Sequence, residues 1–300
     1  MKQPVLLFLH LPRAGGTTLT EVLLRQYPAE AVYLIHSGRA AESMERFAAL
    51  GDAEKARYRL IRGHMLFGLH EAVPGESTYM TFFRDPVDRV ISHYMLEIKR
   101  GKLPKMDTPA AQLAHFVEHC ETRNYMLNLQ TRFLAGDRSS LLGDSYDPVA
   151  FAGTQDGWLD LALSHLENHF QVYGLTERFD ESLLLLQRRF GWRSVYYRRL
   201  NTSENRLRRA DLPAATLARI EADNALDMAL VEHAASHFEA QVAAVDAGFA
   251  AGLAGQVARF RRRNSLFSRL TSVTEGLRRR AARLRGLAAS DRGKDASGAG

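Results

Sequence analysis

Short apolar runs and amphipathic stretches take turns along most of the chain. Val5–Leu9 is continuously apolar and follows Pro4, the pattern of a buried strand. The segment LPRAGGTTL comes next. It leads into a helix over residues 17–26, where Leu19, Val22 and Leu23 mark one face and Glu21 and Arg25 pair across a turn. Residues 31–35 and 58–61 read as further strands, and residues 79–83 as a fourth. RDPVDRVISHYMLEI then carries a full set of helix-start signals. Asp85 is placed to cap, Pro86 takes the first helical position and Asp88 the third, and Val87, Val90, Ile91, Tyr94 and Met95 recur at helical spacing. Residues 109–135, 156–168 and 176–190 read as helices, 170–173 as a strand, 195–197 as a last strand, and 213–249 as an Ala-rich helical region. No internal repeat is visible. Strands alternating with helices predict an α/β fold around a central, mostly parallel sheet.

Composition narrows the class. The 300 residues are 46% hydrophobic and 25% charged, as in a globular protein whose core is large enough to need no metal or disulfide staple. A single cysteine, Cys120, excludes an internal disulfide and points to a reducing, cytoplasmic setting. The apolar run near the N-terminus is too short to span a bilayer, and Pro12 and Arg13 break it at once, so it reads as a strand and not a signal peptide. The net charge of +6 hides a segregation: residues 255–300 hold twelve Arg and Lys against Glu275, Asp291 and Asp295, which leaves the remainder mildly acidic. The body therefore offers no globally basic, nucleic-acid-binding face. The chain divides into a body over 1–250 and a basic tail over 251–300. That tail alternates Arg with Leu, partly helical, and decays into a disordered SDRGKDASGAG. It can touch an anionic membrane surface, which would make the protein membrane-peripheral, or simply be solvated.

Five places could carry chemistry. Glycines after the first strand let the backbone approach an anion, and the next helix points its first N–H groups at it. Arg13, Ala14, Gly15, Gly16, Thr17 and Thr18 thus form a candidate phosphate cradle; the competing reading is a plain turn capped by Thr17. It is not a Walker A loop, which needs a Lys directly before the Ser or Thr. Arg84 ends the fourth strand, where parallel sheets bind ligands, and Ser92 lies two turns into the following helix with Arg89 one turn before it. A guanidinium and a hydroxyl could hold a second phosphate there, or Arg84 could cap a helix or pair with Asp85. His64, at the exit of the third strand, is a candidate base or a structural histidine. Asn124, Asn128 and Arg132 share a helical stripe that could read a substrate or face solvent. Asn201, Thr202, Ser203 and Arg206 form a polar, basic loop that could close over an anion or be a surface linker.

Taken together, HLPRAGGTTL resembles the 5′-phosphosulfate loop of sulfotransferases, commonly HIPKTGGT, and FFRDPVDRVISHY resembles their 3′-phosphate motif. The similarity, closest to carbohydrate O-sulfotransferases of the heparan sulfate 2-O-sulfotransferase type and their bacterial counterparts, runs over residues 4–245 and leaves out the tail. It implies a three-layer, P-loop-kinase-like fold and a metal-free transfer of a sulfuryl group from 3′-phosphoadenosine 5′-phosphosulfate (PAPS) to a hydroxyl acceptor, foremost a saccharide. On this resemblance Arg13 and residues 14–18 hold the phosphosulfate, Arg13 stabilises the leaving group, Arg84 and Ser92 hold the 3′-phosphate, and His64 is the base. Asn201, Ser203 and Arg206 close on the nucleotide. Arg13 stands where Lys is usual, and Arg62 stands where the HGH pattern has its first His. The competing functions are a P-loop-type small-molecule kinase and a non-catalytic nucleotide-binding protein.

Overall fold

All five residues of the first strand are buried, and that strand lies at the centre of the sheet. The structure, a computed structural model, describes residues 3–119, 126–137, 157–198 and 207–295, with side chains as far as Thr271. The strands are β1 (Val5–Leu9), β2 (Val32–Ile35), β3 (Leu60–Gly63), β4 (Ser77–Phe83) and β5 (Phe170–Leu175). They form one sheet in the order β2-β3-β1-β4-β5, and every pairing is parallel. The helices that flank it are α1 (Gly16–Leu23), α2 (Ala40–Ala49), α3 (Asp52–Lys55), α4 (Pro86–Lys99), α5 (Pro109–His119) and α6 (Leu129–Ala135). After them come α7 (Trp158–His169), α8 (Phe179–Phe190), α9 (Ala214–Asp223), α10 (Ala225–Ser236), α11 (Phe238–Val245) and α12 (Ala247–Asp295). The α/β class expected from the alternating pattern is the one found. Chain order reverses at β1, which has β3 on one side and β4 on the other, so a ligand crevice belongs at the carboxyl ends of β1 and β4.

Several boundaries differ from the pattern reading. Residues 109–135 are not one helix. Asn128 adopts a left-handed backbone with φ 45° and turns the chain just before α6. Its carboxamide oxygen accepts the N–H groups of Leu226 (3.0 Å) and Asp227 (3.2 Å) at the start of α10, which fixes an otherwise unfavourable conformation. Residues 195–197 form no strand. Tyr197 instead lies along α12, its N–H donating to Asn264 Oδ1 at 2.7 Å and its hydroxyl to Asp180 Oδ1 at 2.8 Å.

The tail also differs. α12 runs to Asp295, past the point where disorder was expected. Phe249, Leu253, Val257 and Phe260 on its first turns are buried in the main core, and Arg261 pairs with Asp180 at 2.6 Å. Residue 251 is therefore not a packing boundary. Among the described residues no helix is long and apolar enough to cross a membrane.

A buried polar cluster ties the helices to the sheet. Arg89 of α4 and Asp227 of α10 are both fully buried and 3.9 Å apart. The Asp227 carboxylate also accepts the N–H of Gln130 (3.1 Å) and both the N–H and hydroxyl of Thr131 (2.8 Å each). Gln130 in turn clasps the end of β4: its Oε1 accepts the Arg84 N–H at 3.0 Å, and its Nε2 donates to the Arg84 carbonyl at 2.9 Å. Asp227→Ala strands the Arg89 charge and three donors, so it should cost about 3–5 kcal/mol, read from urea unfolding. A loss below about 1 kcal/mol, the size of a solvated pair, would contradict this account.

Candidate functional site

The loop between β1 and α1 is shaped by a histidine just past the strand. His10 follows Leu9 and its ring stacks on Phe8 (centroids 5.3 Å apart) and on His64 (4.3 Å). The loop folds back against it so closely that a Cβ on Gly16 would lie 1.8 Å from His10 Nε2. No side chain fits at position 16. With His10 so placed, there is no room for the Lys which a Walker loop carries there. Gly15 adopts φ 74°, ordinary only for glycine, and Arg13 takes φ 68°, an uncommon conformation for a residue other than glycine. The Arg13 conformation is held from outside: Arg84 Nη1 donates to the Arg13 carbonyl at 2.8 Å.

Both sequence motifs open into one cavity. Its volume is about 120 Å3 and its walls are His10, Arg13, Gly15, Gly16, Thr17, Thr18, Arg84 and Ser92. Arg13 reaches across it, donating from Nε (3.1 Å) and Nη2 (2.9 Å) to the Ser92 hydroxyl. The phosphate cradle and the Arg84/Ser92 pair are thus neighbours. Two cations, two hydroxyl threonines and the first turn of α1, whose leading N–H groups lack intrahelical acceptors, converge on a small volume suited to a multiply charged anion. A larger hollow of about 580 Å3 between α8 and the start of α12 has its one acid, Asp246, paired with Arg188 at 2.6 Å and none of these features.

His64 sits beside the cavity, behind His10. Its Nδ1 is 2.7 Å from the His10 carbonyl. A carbonyl only accepts, so Nδ1 carries the proton and Nε2 keeps its lone pair. Burial lowers the His64 pKa, opposed by that hydrogen bond. Burial lowers that of His10 further, aided by His64, Arg62 and Arg13. Both rings are neutral at pH 7, and a neutral imidazole with its donor nitrogen tied to a carbonyl is poised to accept a proton.

Other sequence candidates fall elsewhere. Asn124, Asn201, Ser203 and Arg206 lie outside the described residues. The chain on either side of 199–206 does land beside both motifs: Arg198 is 3.6 Å from Glu21 of α1, and Arg209 is 3.4 Å from the capping carboxylate of Asp85. The chain turns at Asn128, just before the helix that carries Arg132. Neither lines the cavity. Arg132 is fully buried, bonded to Asp137 at 2.9 Å and set over the Trp158 ring, so both residues serve the fold. Arg89 is likewise spent on Asp227. Gln130 and Glu177 were not singled out from the sequence, and His10, which precedes the loop, reads there as a strand residue. Glu177 accepts the Asp85 N–H at 2.9 Å, and burial raises its pKa. The packing of the His10 ring against Gly16 appears only in the fold.

His93 beside Ser92 gives the site a pH signature. Burial, together with Arg89, Arg13, Arg100 and Lys102, lowers its pKa to about 3 from the ordinary 6.5. Below pH 6.5 the unfolded chain takes up a proton that the folded state refuses, so stability falls as pH drops from 6.5 toward 3. The loss is about 2 kcal/mol by about pH 5. Urea midpoints at about pH 7 and 5 should show His93→Gln losing less on acidification than the wild type; parallel losses would refute it.

Comparison with known proteins adds to this geometry. A family model described as Galactose-3-O-sulfotransferase matches residues 4–289, extending beyond the similarity read from the motifs and into α12. Galactose-3-O-sulfotransferase 3 of Bos taurus is 38% identical over 90 residues, covering 29% of this chain and 21% of its own length. Galactose-3-O-sulfotransferase 2 of Homo sapiens is 24% identical over 245 residues, covering 76% of this chain and 58% of its own. The chain thus spans less than two thirds of these relatives.

Proposed function

The chain belongs to the galactose-3-O-sulfotransferase family, and from that premise we propose that it moves a sulfuryl group from PAPS to a hydroxyl of a galactose-bearing saccharide. The observation that carries this reading is the convergence of both anion motifs on one cavity. The 3′- and 5′-phosphates of PAPS sit on a single ribose, so their binding groups must be neighbours, as Arg13, Ser92 and Arg84 are. A kinase reading is weakened by His10, which leaves no room for a Walker lysine.

The chemistry follows from the groups present. The acceptor hydroxyl gives its proton to His64 Nε2 as its oxygen attacks sulfur. The bond between sulfur and the 5′-phosphate oxygen breaks, and adenosine 3′,5′-bisphosphate departs. Arg13, Thr17, Thr18 and the leading N–H groups of α1 face the negative charge that grows on that oxygen. Like phosphoryl transfer, this step needs positioning and positive charge more than covalent help. Arg13 serves as a rigid fork where a lysine would serve as a point charge.

Two variants test the assignment. His64→Ala should lower turnover with PAPS by about 100-fold or more while adenosine 3′,5′-bisphosphate still binds within about twofold; unchanged turnover would remove His64 from the mechanism. Arg84→Ala should weaken adenosine 3′,5′-bisphosphate by about 10- to 100-fold, the worth of a charge-assisted hydrogen bond, and weaken adenosine 5′-phosphosulfate, which lacks the 3′-phosphate, much less. Equal weakening of both nucleotides would refute its role.

A further inference from the structure

The nucleotide motifs occupy the β1–β4 side of the crevice. The β3 side carries a cation that they do not use. Arg62 lies on β3, in register with Phe8 of β1 and Leu34 of β2, and register neighbours project on the same face of a sheet. Cover on that face gives out across these three residues. Phe8 is buried, Arg62 is half-buried, and Leu34 is 37% exposed. His64 follows two residues after Arg62, stacked on His10, and the charge of Arg62 is among those that bear on His10. Arg62 therefore stands beside the proposed base, across β1 from the groups that would hold the nucleotide.

Among the described residues its guanidinium has no counter-charge within ion-pair distance. The Nε is shut off from solvent with no hydrogen-bond partner among the described residues. Burial lowers the Arg62 pKa, and no carboxylate among those residues offsets it. Two fully buried arginines do meet a carboxylate: Arg89 meets Asp227, and Arg132 meets Asp137. Drawing a cation partly out of water without a counter-charge is costly. Such a group close enough to bear on His10, which lines the cavity, suits an anion brought by a ligand. The planar fork fits a carboxylate or sulfate on two parallel hydrogen bonds, and exposed Leu34 beside it offers an apolar surface for the C–H face of a sugar.

Resting on the sulfotransferase reading, we propose that Arg62 is a specificity-determining residue that binds an anionic substituent, carboxylate or sulfate, on the acceptor saccharide. The acceptor then lies over the exposed face of β2 and β3 with its reactive hydroxyl at His64 and its charged group at Arg62. The enzyme favours acidic glycans over neutral ones of the same shape.

The test uses two disaccharides, galactosyl-glucuronate and lactose, which differ in a carboxylate against a hydroxymethyl group. Each is titrated into the full chain with adenosine 3′,5′-bisphosphate present, and each is assayed for transfer from PAPS. Wild type should bind galactosyl-glucuronate about 10- to 100-fold more tightly than lactose, with a matching ratio in KM. Arg62→Gln should erase that preference and leave kcat with lactose within about twofold. Arg62→Lys, a milder change should the Gln variant fail to fold, should keep part of it. Inorganic sulfate at the disaccharide concentration should not displace galactosyl-glucuronate; if it does so equally in wild type and Arg62→Gln, the anion is held elsewhere and the proposal fails. Equal affinity of wild type for the two sugars overturns it. So does an equal fall in kcat for both sugars in Arg62→Gln, which would place Arg62 on the transferring sulfuryl group instead. Absence of transfer to either sugar, with the binding preference intact, would refute the sulfotransferase reading and leave the anion site standing.

Discussion

A hydrogen atom is all that the His10 ring allows at position 16, and much of the site follows from that contact. It presses the loop after β1 against the end of its own strand. Next to it Gly15 and Arg13 take left-handed conformations, Arg13 held there by Arg84, and the first turn of α1 lines the crevice. The same ring stacks on His64, whose proton is fixed on Nδ1 by the His10 carbonyl. One histidine thus shapes the anion cradle on one side and orients the neighbouring imidazole on the other. It also closes the position where a phosphate-binding lysine would sit, so positive charge must come from Arg13, placed earlier in the loop and reaching back across the cavity to Ser92.

The second wall is held from a distance. Arg84 directly follows β4 at the mouth of the cavity, and both its N–H and its carbonyl are clasped by the Gln130 carboxamide. Gln130 is fixed by Asp227, and Asp227 is held against Arg89 at zero exposure. Burying that pair is affordable only because Thr131 and the Gln130 N–H satisfy the remaining lone pairs of the carboxylate. The arrangement converts helix packing between α4, α6 and α10 into a fixed position for the Arg84 backbone. Its guanidinium can then hold the Arg13 carbonyl, which completes the link to the loop.

Much of this was legible in the sequence where a local rule applied. Asp85, Pro86 and Asp88 mark the start of α4, and the Asp88 N–H does donate to Asp85 Oδ1 at 2.9 Å. The apolar run at Val5–Leu9 gives the central strand, and the glycine pair marks the loop that lines the cavity. What was not legible depends on pairs far apart in the chain. Asn128 looked helical because its spacing to Arg132 is helical; its turn is stabilised by the N–H groups of residues nearly a hundred positions later. Residues 195–197 looked like a strand by composition, but their partners are the side chains of Arg25, Asn264 and Asp180 and not another strand. α12 itself looked like a solvated tail because arginines dominate its composition, while Phe249, Leu253, Val257 and Phe260 carry the packing. Gln130 left no signal, since a glutamine that clasps a backbone is spelled like any other.

The central claim is that the crevice at the ends of β1 and β4 is built for a nucleotide phosphorylated at both the 3′ and 5′ positions of one ribose. Calorimetric titration of the full chain with adenosine 3′,5′-bisphosphate, alongside ADP and Mg-ATP, tests it most directly. The account predicts that the bisphosphate binds at least about tenfold more tightly than either competitor, a difference of about 1.4 kcal/mol. Preference for Mg-ATP, or equal affinity for all three, would contradict it.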